Sequence, residues 1–380
     1  MNRMRLFTPG PTSVPEEVLL EMARPVFHHR TQEYRTLFAE VSKLLQMVFQ
    51  TANPVVTLSG SGTAGYEAAM INTIPQGGRV LALSNGKFAE RWVTVAQRNN
   101  CEITVLKAEY GHAIPPEQVA EALGKGKFDA VTLCHSETSA CTVNDLQAIA
   151  GHVRKTDAIL IADGITSVGA IPVKPDDWGV DILVTGSQKA LMLPPGLAFV
   201  SVSEKAKKKM ETVKQPNLYL SLPHYLKSLE ANDVPWTPAV TLVRGLHVAL
   251  KMIAAEGLEN VWKRTASFAA ATRGAAKALG LKVFSSNPSD SVTGIHYPAG
   301  FDDKNFRGAL RKQFNVHIAA GQGSMEGKIF RISHMGYVDA FDTLGVISAV
   351  EIVLRQQGYQ FDFGAGVVAA HKELARAAAG

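Results

Sequence analysis

The sequence predicts an α/β fold: a mostly parallel seven-stranded sheet covered by helices, followed by a smaller α+β domain. Two observations carry this. Short β-branched runs at 55–58, 79–83, 103–106, 130–133, 159–162, 182–184 and 197–202 alternate with helical patterns. Such alternation is what parallel pairing needs, because parallel neighbours must be joined by a crossover. From Ala239 to Leu279 the pattern is long and helical, broken near Gly257, and afterwards strands and helices mix differently, at 292–296, 306–313, 329–332 and 341–354. A chain of 380 residues also exceeds what one compact core serves. The expected division is an N-terminal segment (1–14), a large α/β domain (15–256) and a small C-terminal domain (257–380).

The opening, Thr8-Pro9-Gly10-Pro11-Thr12, reads as turns without a strand. Pro15-Glu16-Glu17 suits a first helical turn, and a second helix is expected from Thr31 toward Phe49. The stretch 361–380 reads equally as a docked helix or a frayed tail. With 46% hydrophobic and 19% charged residues the chain should fold throughout. A net charge of +5, spread along the sequence, suits small anionic ligands better than nucleic acid. The cluster Lys205, Lys207, Lys208 and Lys209 reads as a solvated helix face. Three cysteines without metal-type spacing suit a reducing compartment; with no signal peptide or membrane span legible, a cytoplasmic protein is expected.

Gly60-Ser61-Gly62-Thr63-Ala64-Gly65 follows a strand and opens a helix, the spacing of a dinucleotide fingerprint. Against a nicotinamide site, a long helical stretch precedes it, and the next strand ends in Ser84-Asn85-Gly86 without the acid that grips a ribose. A single phosphate held by helix N–H groups and the Ser61 and Thr63 hydroxyls keeps the anion chemistry, with a plain tight turn as the alternative.

The strand Asp181-Ile182-Leu183-Val184-Thr185-Gly186 leads through Ser187-Gln188 to Lys189, bordered by Ala190-Leu191-Met192-Leu193-Pro194-Pro195-Gly196. Apolar surroundings penalise the lysine's charge and favour the free amine that Schiff-base chemistry requires. A lysine alone would be read as snorkelling to water. Ile159-Leu160-Ile161-Ala162, one crossover earlier, ends in Asp163, so both residues reach the carboxyl edge of a parallel sheet, where ligands bind. A carboxylate there can pair with a protonated pyridine nitrogen, although a lone Asp is more often a cap.

With these residues the chain resembles the class V aminotransferases of fold type I, in the serine–pyruvate and alanine–glyoxylate group. The likeness spans Thr8-Pro9-Gly10-Pro11, Ser59 to Thr63, Ser84 to Phe88, Ala162-Asp163-Gly164, Gly186 to Ala190 and Phe330-Arg331-Ile332-Ser333. It implies pyridoxal 5'-phosphate as cofactor, carried by Lys189 as a Schiff base, with Asp163 on the pyridine nitrogen. It further implies Phe88 stacked on the ring, Thr138 and Ile165 beside it, and Ser61, Gly62, Thr63 and Gln188 around the phosphate. Thr237 resembles a residue that reaches the phosphate from a partner subunit, which implies a homodimer with the N-terminal segment near the shared site. Arg331 matches the arginine that clamps the substrate carboxylate. Two departures stand out: Ala140-Cys141 where many relatives read Thr-Gly, and no tyrosine at the Val234 turn.

The implied activity is a ping-pong transamination between a small amino acid (serine or alanine, with aspartate as a further donor) and glyoxylate or pyruvate. A 2-aminoethylphosphonate-type transaminase is the alternative within the family. A desulfurase fails because no cysteine follows Cys141. A nicotinamide-dependent oxidoreductase rests on the glycine motif alone, and Arg331 speaks against a non-catalytic cofactor-binding regulator.

Overall fold

The computed structural model of the chain describes residues 3–214 and 216–379. The helix Gln32–Phe49 begins where the Thr31 hydroxyl accepts from the Tyr34 N–H, and it buries Tyr34, Phe38, Val41, Leu45 and Val48 along one stripe. That stripe packs into a core shared with alternate residues of the strands, such as Leu160 and Leu183. Their sequence neighbours Ile159, Ile161, Ile182 and Val184 face a second core on the other side of the sheet. Burial on both faces explains why these strands read as continuous apolar runs.

Seven strands form the large sheet in the order Val55–Ser59, Leu197–Val202, Ile182–Gly186, Ile159–Asp163, Ala130–Cys134, Arg79–Ser84 and Glu102–Lys107. Leu197–Val202 runs antiparallel to both neighbours; the remaining pairings are parallel. The reversal has a local cause. Only the loop carrying Lys189 separates Ile182–Gly186 from Leu197–Val202, and it is too short for a helical crossover.

A second sheet has the order Arg5–Phe7, Val316–Ala320, Ile329–Ser333 and Val292–His296. Its first member corrects the strandless opening read from the sequence. Three residues cannot display an alternation, and Arg5–Phe7 owes its conformation to parallel pairing with Val316, His317 and Ile318. Residues 257–380 therefore do not complete this sheet by themselves. The helices Val240–Glu256 and Leu258–Ala278 meet at Gly257, whose φ of +85° suits glycine.

The helix Ala365–Ala379 is docked: the Glu351 carboxylate takes the N–H groups of Gly364 and Val367, at 2.7 and 2.9 Å. The lysine cluster is less solvated than its composition implies. Lys205 donates to the Ala158 carbonyl at 2.6 Å and Lys209 pairs with Asp129 at 2.7 Å. Among the described residues no helix is long and apolar enough to cross a membrane.

Candidate active site

Lys189 lies at the carboxyl edge of the large sheet, beneath the N-terminal segment. Its Nζ donates to the Pro9 carbonyl at 2.5 Å, while the N–H and hydroxyl of Thr12 bond the Gln188 and Lys189 carbonyls at 3.1 and 2.8 Å. Gly10 makes this approach possible: a Cβ there would stand 2.1 Å from Nζ, and its φ of +144° disfavours any other residue. Desolvation lowers the Lys189 pKa to about 8 and the charges of Arg331 and Arg91 push the same way, while Asp163 opposes them.

Asp163 ends the adjacent strand, in register with Val184, and is 3% exposed. Burial raises its pKa, and three donors counter that by stabilising the carboxylate: the Tyr66 hydroxyl, the Cys134 thiol at 3.0 Å and the Ile165 N–H at 2.7 Å. Tyr66 is held by stacking on Trp92, with centroids 4.1 Å apart.

The glycine-rich turn opens the helix Gly62–Thr73. Ser61 occupies the cap position, yet its side chain makes no capping hydrogen bond. Gly62 abuts Ile165, where a Cβ would meet Cδ1 at 2.5 Å. A Cβ on Gly186 would lie 3.0 Å from Gln188 Oε1 and 3.7 Å from the Gly62 nitrogen, which places the Gln188 amide and the helix start over the same spot. Gln188 Oε1 is buried without a hydrogen-bond partner. Thr63 accepts a hydrogen bond from Arg91 Nη1 at 3.1 Å.

Phe88 stands in the first turn of the helix Lys87–Arg98, half-buried, with the Arg91 guanidinium 5.1 Å from its ring centroid. The turn is fixed by Glu137, a fully buried carboxylate that takes the N–H groups of Phe88, Ala89 and Ser139 and the Ser139 hydroxyl, at 2.6–3.1 Å. Gly86 leaves room for it, since a Cβ would meet Glu137 Cγ at 2.2 Å. Burial raises the Glu137 pKa against these bonds.

Arg331, in the central region of the small sheet, is 4% exposed and bridges to the loop after Ala130–Cys134 that carries Thr138. Nε donates to the Ala320 carbonyl at 2.7 Å and Nη1 to the Thr138 carbonyl at 2.8 Å. Two of its five N–H donors are thereby engaged, which leaves Nη2 for a ligand. Thr138 contributes its carbonyl here, and its hydroxyl meets Thr166 at 2.9 Å. Cys141, at the departure from the family pattern, adopts a φ of +53°, a conformation that favours glycine; its sulfur fits beside Gly294, where a Cβ would lie 2.9 Å away.

Lys189, Asp163, Ile165, Gln188, Ser61, Gly62 and Thr63 are thus linked through one sheet edge, with Phe88 joined through Arg91 and Thr138 through Arg331. Thr237 is exposed in the turn before Val240–Glu256 and makes none of the hydrogen bonds that hold this group together. Sequence reasoning missed Tyr66, Arg91 and Glu137. Tyr66 had a weak signal, a hydroxyl immediately after the glycine motif in an otherwise apolar helix. Glu137, in a short polar run, had none.

The class V aminotransferase family model matches residues 5–340, and the chain belongs to that family. It is 41% identical over 376 residues to the soluble hydrogenase 42 kDa subunit of Anabaena cylindrica, covering 97% of this chain and 98% of that one. It is 35% identical to the L-aspartate–glyoxylate aminotransferase of Paracoccus denitrificans, covering 97% and 95% of the two chains. The crystal structure of pyridoxamine–pyruvate aminotransferase from Mesorhizobium loti superposes with a TM-score of 0.94 at 31% identity, covering 99% and 98%. The architecture is that of the fold type I aminotransferases, and the chain is an enzyme that transfers an amino group between an amino acid and an oxo acid.

Proposed function

We propose that this aminotransferase passes the amino group of a small amino acid (serine, alanine or aspartate) to a small 2-oxo acid such as glyoxylate or pyruvate, with pyridoxal phosphate carried by Lys189. One observation carries the reading: a lysine whose pKa burial lowers to about 8 shares a sheet edge with a buried carboxylate on the adjoining strand. The relative named for aspartate and glyoxylate supports the substrate class.

The residues fit a phosphate-bearing pyridine. The buried amide of Gln188 has an orphan atom, which is where such a site expects a ligand; the amide can present either its oxygen or its NH₂ there. The Ser61 hydroxyl is free of capping duty beside it. Ser61, Gly62, Thr63 and Gln188 would hold the phosphate, with Thr237 of the partner subunit completing the cradle in a cytoplasmic homodimer. Phe88 would cover the ring, with Thr138 and Ile165 at its margin.

When bound, the cofactor's pyridine ring takes up the electrons released as the α-proton leaves. Asp163 would keep a proton on the ring nitrogen, its charge supported by Tyr66, Cys134 and Ile165. Lys189 Nζ, displaced by the incoming amino group, would take the α-proton and return it on the other side of the transfer. Arg331 would orient the substrate carboxylate, with its position fixed by the Ala320 and Thr138 carbonyls.

The test is spectroscopic. Purified protein with pyridoxal phosphate should show a visible band that serine, alanine or aspartate converts to the pyridoxamine form, and Lys189→Ala should abolish the conversion. Wild-type protein that stays colourless with added pyridoxal phosphate, or a Lys189→Ala variant that transaminates at the wild-type rate, refutes the proposal.

A further inference from the structure

The phosphate cradle expected from the sequence offers the partial charge of a helix start but no cationic side chain. Ser61, Gly62, Thr63, Gln188 and Thr237 are all neutral, whereas a phosphate monoester carries about −1.5 to −2 charge at neutral pH. Enclosing such an anion without a counter-charge is costly. In the reading above Arg331, fixed by the Ala320 and Thr138 carbonyls, is committed to the substrate carboxylate and Lys189 to the aldehyde end of the cofactor.

Arg91 has no such commitment. It is half-buried in the helix Lys87–Arg98, and among the described residues no carboxylate pairs with it. Glu90, its acidic neighbour in sequence, is engaged by Lys87 at 3.4 Å and by the Tyr110 hydroxyl at 2.9 Å. A guanidinium drawn partly out of water without an anionic partner is favourably placed to receive one. Two contacts aim it at the cradle: Nη1 donates to Thr63 Oγ1 at 3.1 Å, and the guanidinium lies over the Phe88 ring at 5.1 Å.

We infer that Arg91 is the counter-cation of the cofactor's phosphate arm, a binding residue that balances the anion and orients the Thr63 hydroxyl toward it. The inference rests on the cofactor reading proposed above. Its stereochemistry follows from the donor inventory. A threonine hydroxyl has one proton and two acceptor sites. Once Arg91 occupies an acceptor site, the proton is left to donate to an anion. The Phe88 ring keeps the guanidinium plane in place, a geometry that a lysine would not reproduce.

The experiment compares two ligands that share ring and aldehyde and differ in the phosphate. Pyridoxal phosphate and pyridoxal are titrated into full-length wild-type, R91Q and R91K proteins stripped of cofactor, and binding is read from visible absorbance and tryptophan fluorescence. In R91Q the affinity for pyridoxal phosphate should fall about tenfold to a hundredfold, the range of a charge-assisted contact. Pyridoxal should change little, so the preference for the phosphorylated ligand collapses. R91K should fall between the two.

If both ligands weaken by the same factor, Arg91 merely shapes the pocket and the inference is overturned. It is overturned equally if neither affinity changes. Should R91Q not fold, R91K decides: a reduced preference supports the inference and an unchanged one refutes it. Wild-type protein that fails to bind pyridoxal phosphate brings down the cofactor reading together with this inference. Wild-type binding whose preference is indifferent to both substitutions brings down only the role of Arg91.

Discussion

Two helix N-termini on the large sheet, joined by the hydrogen bond from Arg91 to Thr63, are treated in opposite ways. At Lys87–Arg98 the chain supplies its own anion: the Glu137 carboxylate takes the Phe88 and Ala89 N–H groups. At Gly62–Thr73 a serine stands in the cap position and does not cap. Both ends carry the partial positive charge and orphan donors of any helix start. The first has been closed from within, which immobilises Phe88. The second is left open beside the orphaned Gln188 amide. The contrast teaches that a capping residue type in the right position does not make a cap; what its hydroxyl touches decides.

The largest expected effect breaks the closed end. Glu137→Ala strands four donors, and chemical denaturation should show a loss of about 3–5 kcal/mol. A loss within about 0.5 kcal/mol would mean that this terminus needs no anion. Next comes the electrostatics at the open edge. In cofactor-free protein the rate of Lys189 acylation should rise with pH through a midpoint of about 8, because burial favours the neutral amine above that pH. A midpoint at the ordinary 10.5 would show that the amine is not desolvated.

Arg331→Lys keeps the charge and loses the planar fork. The Michaelis constant for the amino donor should rise about tenfold or more, with a smaller change in kcat. An unchanged constant would remove the carboxylate from this arginine. The smallest effect sharpens the comparison itself. Ser61→Ala should leave stability within about 0.5 kcal/mol while weakening pyridoxal phosphate binding up to about tenfold. A stability loss near 1 kcal/mol, the usual cost of a lost cap, would show that the open end is capped after all.

The sequence exposed what repeats or clusters along the chain and hid what forms across it. Six of the seven strand runs were legible because burial leaves nearly unbroken apolar stretches, while the part-exposed edge strand Glu102–Lys107 was legible from its β-branched Ile103, Thr104 and Val105. Arg5–Phe7 was not, since its strand character comes from Val316–Ile318. Lys189 and Asp163 were readable as polar residues ending apolar strands. Tyr66 and Cys134, which hold Asp163 from two other elements, were not. Glu137 looked like part of a polar loop because nothing local announces a carboxylate whose partners lie on another helix. Arg91 was indistinguishable from any cation on a mixed helix face until its neighbours Thr63 and Phe88 were in place.

The N-terminal clasp gives the molecule an order of assembly. Arg5–Phe7 pairs with Val316–Ile318, and a few residues later Pro9 and Thr12 bind the Lys189 loop. The first of these contacts joins two distant parts of the chain, a connection that is slow to form. During synthesis the early residues must wait for a strand translated long after them. The strand that anchors the lysine's roof therefore pairs only at the end of biogenesis, so a nascent or truncated chain that lacks Val316–Ala320 would keep the large sheet's residues and leave that roof untethered at its N-terminal side.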